Sequence, residues 1–323
     1  MIRTCVVALG VMVMALTASP AIAQQSGSAG ATSPAAAPGV TSDEVVVTAI
    51  RPAQMRSFVR QLAEPGKQDQ LSRWDRRVCA GVVGVQTRAA QALIDQVTLR
   101  ALSIGLQAGQ PGCRANVLII VTPNAATFTP AFVDQNKQFF SNSEGNGNAL
   151  GRDAAAAFAN SGQPIRWWHV SQTVTDHGQV LGQSDATLGG DGDFSNAQVA
   201  RVTNAGRLRA GTRQEFNRVI VIVDSTATAG KPFGAVADYI AMVSLAQTRA
   251  DADRTGMDTI LSLFDAAQAR ETTPTGWTRW DQAYVEGLYG APRYARNARQ
   301  QEGAIIGRVE RSAGDAEPTP APQ

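Results

Sequence analysis

The chain has 323 residues, of which 29 are Lys or Arg and 27 are Asp or Glu, so its formal net charge is only +2. This near balance, without a concentrated basic segment, argues against nucleic acid or an anionic membrane surface as a partner. About 260 residues remain between the two terminal segments described below, near the upper limit for a domain with one hydrophobic core.

The first 23 residues have the features of a secretory signal peptide. Arg3 provides a positive start, Val6–Leu16 is an apolar stretch too short to span a bilayer, and Ala21 and Ala23 form a small-x-small cleavage pattern. We expect cleavage after Ala23 and a mature protein that is periplasmic or extracellular. An uncleaved membrane anchor is the alternative, which Pro20 disfavours. We expect no transmembrane segment after cleavage.

The composition divides the rest of the chain. Residues 24–43 are rich in Ala, Ser, Gly and Pro, which is typical of a flexible linker. Residues 44–52 form an extended β-branched segment, 53–312 a single α/β domain, and 313–323 a tail of linker-like composition that we expect to be disordered.

Hydrophobic periodicity predicts the elements of the domain in chain order. Before residue 175 we expect helices over 55–62, 87–107 and 152–160, a helical stretch around Phe132–Phe140, and strands over 78–85, 116–121 and 165–174. A long polar segment over 175–214 precedes a strand at Arg218–Asp224 and helices over 233–248, 257–269, 278–288 and 295–307. We therefore predict an α/β (α+β) protein, with a mixed sheet of about four to five strands and a backing helix, followed by a mainly helical C-terminal third.

Two cysteines remain after removal of Cys5 with the signal peptide. A disulfide between Cys79 and Cys113 is the expected state of such a pair in an oxidising compartment. The bridge would close a loop of 34 residues, which contributes roughly 3–4 kcal/mol by the loop-entropy estimate. A reactive thiol pair is the alternative, but the C-x-x-C spacing is missing.

The strand at Arg218–Asp224 and the helix that follows it resemble one part of the zincin metallopeptidases. In that family a buried strand precedes the helix that carries H-E-x-x-H, and here Ala237-Asp238-Tyr239-Ile240-Ala241 occupies the same place. The resemblance covers roughly residues 77–290 at the level of element order, and it implies a zincin-like scaffold. Ala237 and Ala241 cannot ligate zinc, so this helix predicts no metal and no cofactor.

Other candidate catalytic groups follow the same strand. Asp224 and Ser225 stand at its carboxyl end, where open α/β sheets place ligands. A Ser-His-Asp triad would need His169 or His177, the only two histidines. The favoured interpretation packs His169 beside aromatic residues and leaves His177 exposed. Strand alternation places Trp168 on one face of the sheet and Trp167 with His169 on the other.

The segment Asp43–Arg51 (DEVVVTAIR) resembles the TonB box of TonB-dependent outer-membrane receptors. The resemblance implies that Glu44, Val45, Val46, Val47 and Thr48 dock on a TonB-type partner, as an extended strand can add to a partner's sheet. The chain has too few amphipathic strands to be such a receptor itself. The alternative, which we favour, is an edge strand of the protein's own sheet.

These patterns favour a non-catalytic binding or envelope protein, on a degenerate peptidase-like scaffold, that binds a peptide or protein ligand. The alternative is a metal-independent hydrolase or peptidase that uses Asp224 and Ser225, or Asp238.

Overall fold

A mixed sheet lies at the centre of the protein. The computed structural model describes residues 52–65, 70–140, 150–181, 203, 205–265 and 273–314, and in these ranges the sheet has four strands. The strands are β1 (Ala80–Val83), β2 (Val117–Thr122), β3 (Ile165–Thr175) and β4 (Thr212–Asp224). The helices are α1 (Pro52–Leu62), α2 (Thr87–Ser103), α3 (Ala125–Gln135), α4 (Lys137–Phe140), α5 (Arg152–Ala159), α6 (Phe233–Leu245), α7 (Arg279–Gly290) and α8 (Ala298–Gly314).

The strands lie in the order β1-β2-β4-β3. β1 is parallel to β2, β2 is parallel to β4, and β3 is antiparallel to β4 at the edge of the sheet. Helix α2 connects β1 to β2, as a parallel pair requires, and α6 follows β4. The predicted fold class is confirmed, including the mainly helical C-terminal part formed by α6–α8.

Both faces of the sheet are covered. The larger core lies between one face and the helices α1, α2, α6, α7 and α8, while a smaller core lies between the other face and α3–α5. Residues Val219–Val223 of β4 are at most 4% exposed, because alternate side chains enter the two cores. Helix α6 is buried from Ala235 to Leu245, which explains why its sequence is apolar almost all round.

The boundaries of several elements differ from the predictions. β4 begins at Thr212, inside the segment predicted as a polar loop, because an ion-pair network allows Arg213 and Glu215 to be buried. The predicted helix over 257–269 is wrong in its described part, where only a 3-10 turn, Ile260–Ser262, forms. Pro52 opens α1 instead of ending the extended segment, and α8 continues to Gly314 within the predicted tail.

Cys79 and Cys113 form a disulfide bond, with a Cα–Cα distance of 6.2 Å. The bond joins the start of β1 to the loop before β2, and so ties the β1 edge of the sheet to its neighbour. Among the described helices, none combines the length and the apolar character needed to cross a membrane. The predicted signal peptide, the linker and the TonB-box-like segment 43–51 lie outside the described residues.

Candidate functional site

Asp238 of α6 is held by hydrogen bonds on both carboxylate oxygens. Its Oδ1 accepts from Gln96 Nε2 at 2.5 Å and Arg100 Nε at 2.7 Å, and its Oδ2 accepts from Arg100 Nη2 at 2.5 Å and Trp277 N at 2.9 Å. Burial acts to raise the pKa of Asp238, but these hydrogen bonds outweigh it and hold the pKa below its usual value. The carboxylate therefore joins α6 to α2 and to the segment before α7.

Asp224 and Ser225 lie at the carboxyl end of β4. Asp224 Oδ2 accepts from Ala125 N at 2.9 Å, while its Oδ1 accepts from Thr226 N at 3.0 Å and Ala227 N at 2.9 Å. Burial would raise the pKa of Asp224, yet these backbone donors lower it. Ser225 is exposed, and its hydroxyl donates to Thr122 O at 3.4 Å. Asp224 thus orders the start of α3 and the turn after β4.

The structure does not bring a histidine to this end of the sheet. His169 pairs with Val219, six residues before Ser225 on β4, which corresponds to about 20 Å along a strand. His169 stacks on Phe216 and donates from Nε2 to Val243 O at 2.7 Å, and burial lowers its pKa to about 4. His177 is exposed and contacts Thr203. No triad of Ser225 with either histidine forms.

A different feature lies at the outer edge of β3. Asp224 N donates to Pro164 O, so the backbone carbonyl of residue 164 points towards β4. Backbone groups alternate in direction along an antiparallel strand, so those of residues 166, 168 and 170 also point towards β4. The backbone N–H and C=O groups of Ile165, Trp167 and His169 therefore point away from β4. No described residue forms a backbone hydrogen bond with them.

Among the described residues, the outer edge of β3 forms backbone hydrogen bonds only near the end of the strand. There Thr175 N donates to Gln179 O and Leu181 N donates to Thr173 O, so the turn after β3 folds back on its last residues. The stretch from Ile165 to Ser171 has no such partner strand among the described residues.

A cleft of 380 Å³ runs along this unpaired part of β3. Its floor is the stretch Ile165–His169, one side is α5 with the loop after it, and the other is formed by Glu64, Ala250 and Asp251. The lining residues are Glu64, Leu150, Ala154, Ala157, Phe158, Ser161, Gly162, Gln163, Ile165, Arg166, Trp167, Trp168, His169, Ala250 and Asp251. The cleft thus lies where the two helical layers separate at the edge of the sheet.

Two tryptophans fix the strand that forms the floor. Trp167 packs in the larger core and donates from Nε1 to Thr248 O at 3.0 Å. Trp168 packs in the smaller core against Phe140 and donates from Nε1 to Phe139 O at 2.9 Å. The predicted alternation of their faces is confirmed. Because each indole is fixed by packing and by a hydrogen bond, the part of β3 that carries them is held rigidly.

The charged groups of the cleft differ in the hydrogen bonds and ion pairs that they form. Arg166 is 5% exposed, and its guanidinium donates to Ala125 O at 2.6 Å and Thr129 Oγ1 at 2.8 Å. Glu64, by contrast, forms no hydrogen bond or ion pair with a described residue. Burial raises the pKa of Glu64 to about 7, although Arg249 acts to lower it.

Sequence reasoning did not select Glu64, Asp251 or the residues of α5, since they are far apart in the chain and share no motif. The only available signal was the strand 165–174, whose outer neighbour was not identified. The residues that were selected, Asp224, Ser225 and Asp238, lie elsewhere. The partner-binding residues Glu44, Val45, Val46, Val47 and Thr48 lie outside the described part of the chain.

The described residues contain no group of three or more His, Cys, Asp or Glu placed to hold a metal ion. Ala237 and Ala241, which the sequence resemblance aligned with the zinc ligands of the zincin motif, are buried in the larger core.

Comparison with known proteins gives no further assignment. No protein-family model matches the chain, and neither a curated protein nor a solved structure matches it.

Proposed function

We propose that the protein is an exported, non-catalytic binding protein that holds an extended peptide segment of a partner along the outer edge of β3. The observation that carries the proposal is the edge Ile165–His169, whose outward backbone groups have no hydrogen-bond partner among the described residues and which borders a cleft of 380 Å³. Strand addition to a sheet edge is a common way to bind extended peptides.

The backbone of β3 supplies the first argument. Ile165, Trp167 and His169 are at most 6% exposed, yet no described residue pairs with their outward N–H and C=O groups. Buried backbone polar groups need hydrogen-bond partners, and unpaired ones cost free energy. An added strand would supply partners for these backbone groups.

The walls of the cleft supply the second argument. Ala154, Ala157 and Phe158 of α5 form an apolar side, while Glu64 and Asp251 stand on the opposite side. Successive side chains of an added strand would alternate between these two environments. Pockets of this kind give a strand-binding site its sequence preference.

A steric test distinguishes this site from the rest of the surface. Ala157→Trp fills the cleft, and we expect it to abolish the binding of fluorescein-labelled octapeptides that alternate Val and Thr, measured by fluorescence anisotropy. Ala156→Trp is the matched control, because Ala156 is the exposed neighbour on the same helix and does not line the cleft. Equal peptide binding by both variants would overturn the proposal, as would the absence of binding to the wild type.

The relation to a peptidase scaffold remains a separate part of the proposal. The order β1-α2-β2, then β3, β4 and α6, and the two alanines on α6 support a degenerate zincin-like scaffold, a pseudoenzyme. The alternative is a metal-independent hydrolase that uses Asp224 with Ser225, or Asp238. A broad peptidase screen of the mature chain separates the two, since only hydrolysis that is lost on Asp224→Ala or Asp238→Ala supports the alternative.

We also propose a periplasmic or extracellular location, which the Cys79–Cys113 bond supports because disulfides persist in oxidising compartments. A TonB-type partner that binds residues 43–51 stays a proposal from the sequence. Titration of a labelled peptide of this segment into a TonB carboxy-terminal domain tests it, and the absence of binding at high micromolar concentration removes it.

A further inference from the structure

The charge distribution of the cleft identifies the chemistry of its occupant, if the proposed peptide-binding function holds. Four lining residues carry ionisable side chains, namely Glu64, Arg166, His169 and Asp251. Arg166 directs its guanidinium to α3, and buried His169 is neutral because its pKa is lowered to about 4. The carboxyl groups of Glu64 and Asp251 are therefore the charges that a ligand meets.

We propose that the segment bound along β3 belongs to another protein and places a Lys or Arg side chain against Glu64 and Asp251. Glu64 lies partly buried in the cleft without a hydrogen bond or ion pair to a described residue. Asp251 is exposed and has only a loose contact with Arg249, at 3.9 Å. A ligand ammonium or guanidinium supplies the donors that these carboxylates lack.

Groups of both signs lie near Glu64, and of the charged side chains that line the cleft, the carboxyl groups of Glu64 and Asp251 have no close cationic partner among the described residues. The charged and titratable groups that face Glu64 are Asp251 and Arg249 from the segment after α6, together with Arg166 and His169 of β3. Arg249 acts to lower the pKa of Glu64, and Asp251 acts to raise it. Since Glu64 titrates near neutral pH, the cleft gains negative charge as the pH rises from 6 to 8.

Three labelled octapeptides that differ only at a central Lys, Gln or Glu test the proposal. We expect the Lys peptide to bind the wild-type protein about fivefold more tightly than the Gln peptide, and the Glu peptide to bind more weakly than both. The Lys preference should increase from pH 6 to pH 8. Glu64→Gln should remove most of the preference for the Lys peptide over the Gln peptide.

The control variant is Asp95→Asn, which removes one exposed carboxylate from α2, outside the cleft. It should keep the preference for Lys and its pH dependence. If the three peptides bind with equal affinity and Ala157→Trp abolishes binding of all three, the cationic ligand is excluded while the peptide-binding function stands. If no peptide binds, the proposed function fails and this inference fails with it.

Discussion

Two acidic residues, Asp238 and Glu64, show how differently the protein treats a carboxyl group removed from bulk water. Asp238 accepts hydrogen bonds from Gln96, Arg100 and Trp277, and its pKa lies below the usual value. Glu64 has no such donor among the described residues, and its pKa is raised to about 7. The first group remains ionised and structural, whereas for the second the cost of desolvation exceeds the favourable effect of Arg249.

The sequence motifs pointed to helix α6 as a candidate site and did not point to the edge of β3, whereas the structure favours the edge of β3. Helix α6 is the proposed counterpart of the catalytic helix of a zincin, but its Asp238 carboxylate serves the packing of α2, α6 and the segment before α7. The β3 edge carries no motif, yet its outward backbone groups and the Glu64 carboxyl group have no hydrogen-bond partner among the described residues. The proposed ligand site therefore rests on polar groups without described partners and not on a motif.

The largest expected effect tests the structural role of Asp238. Asp238→Ala leaves Arg100 without its carboxylate and Trp277 N without an acceptor. We expect a loss of about 2–3 kcal/mol in the free energy of unfolding, below the cost for a fully buried pair because the Arg100 side chain is 27% exposed. Urea denaturation of the mature chain measures this loss.

Asp95→Ala on α2 is the control for that experiment, because Asp95 is exposed and we expect a change within about 0.5 kcal/mol. A similar loss in both variants would contradict the structural role of Asp238, and the contrast between Asp238 and Glu64 would no longer hold.

The second prediction concerns the pH dependence of Glu64. A carboxyl group with a pKa of about 7 in the folded state and an ordinary value of 4.5 binds its proton more tightly when folded. The folded state therefore loses stability as the pH rises from 4.5 to 7. Relative to wild type, Glu64→Gln should gain about 1–2 kcal/mol between pH 4.5 and pH 8, after allowance for partial exposure.

Urea denaturation at the two pH values measures this gain, with Asp95→Asn as the variant that should show none. A Glu64→Gln variant whose difference from wild type is the same at both pH values would show that the carboxyl group is not desolvated. The expected sign matters, because the same substitution should stabilise the fold and weaken the binding of a cationic peptide.

The smallest expected effect is that of Ser225→Ala. The hydroxyl is exposed and its contact with Thr122 O is long, at 3.4 Å. We expect a change in stability within about 0.5 kcal/mol. The variant therefore gives a clean activity test, because any hydrolysis that disappears on this substitution would be due to the serine hydroxyl and would favour the hydrolase alternative.

Much of the fold could be predicted because its core strands are apolar on both faces. The run RVIVIVD at Arg218–Asp224 indicates a buried strand without ambiguity, and the helix after it follows from its apolar composition. The first half of β4 could not be predicted in the same way. Its charged residues Arg213 and Glu215 are buried only because Asp75, distant in the chain, shares the Arg213 guanidinium.

The candidate site was less accessible to sequence reasoning than the fold. The strand Ile165–Thr175 and the opposite faces of Trp167 and Trp168 follow from alternation. Whether a strand lies at an edge depends on sheet order, which no local pattern contains. The cleft also needs α5, Glu64 and Asp251 around that edge, and only tertiary packing brings these separate segments together.

The turn after β3 has a consequence for the size of an occupant. Gln179 and Leu181 already use the outer hydrogen-bonding positions at Thr173 and Thr175. A strand that enters from the Ile165 end can therefore extend only to Ser171, about 23 Å or seven residues, before it meets this turn. The fold thus sets a terminus for any strand added at this edge, and it limits the paired length to about seven residues.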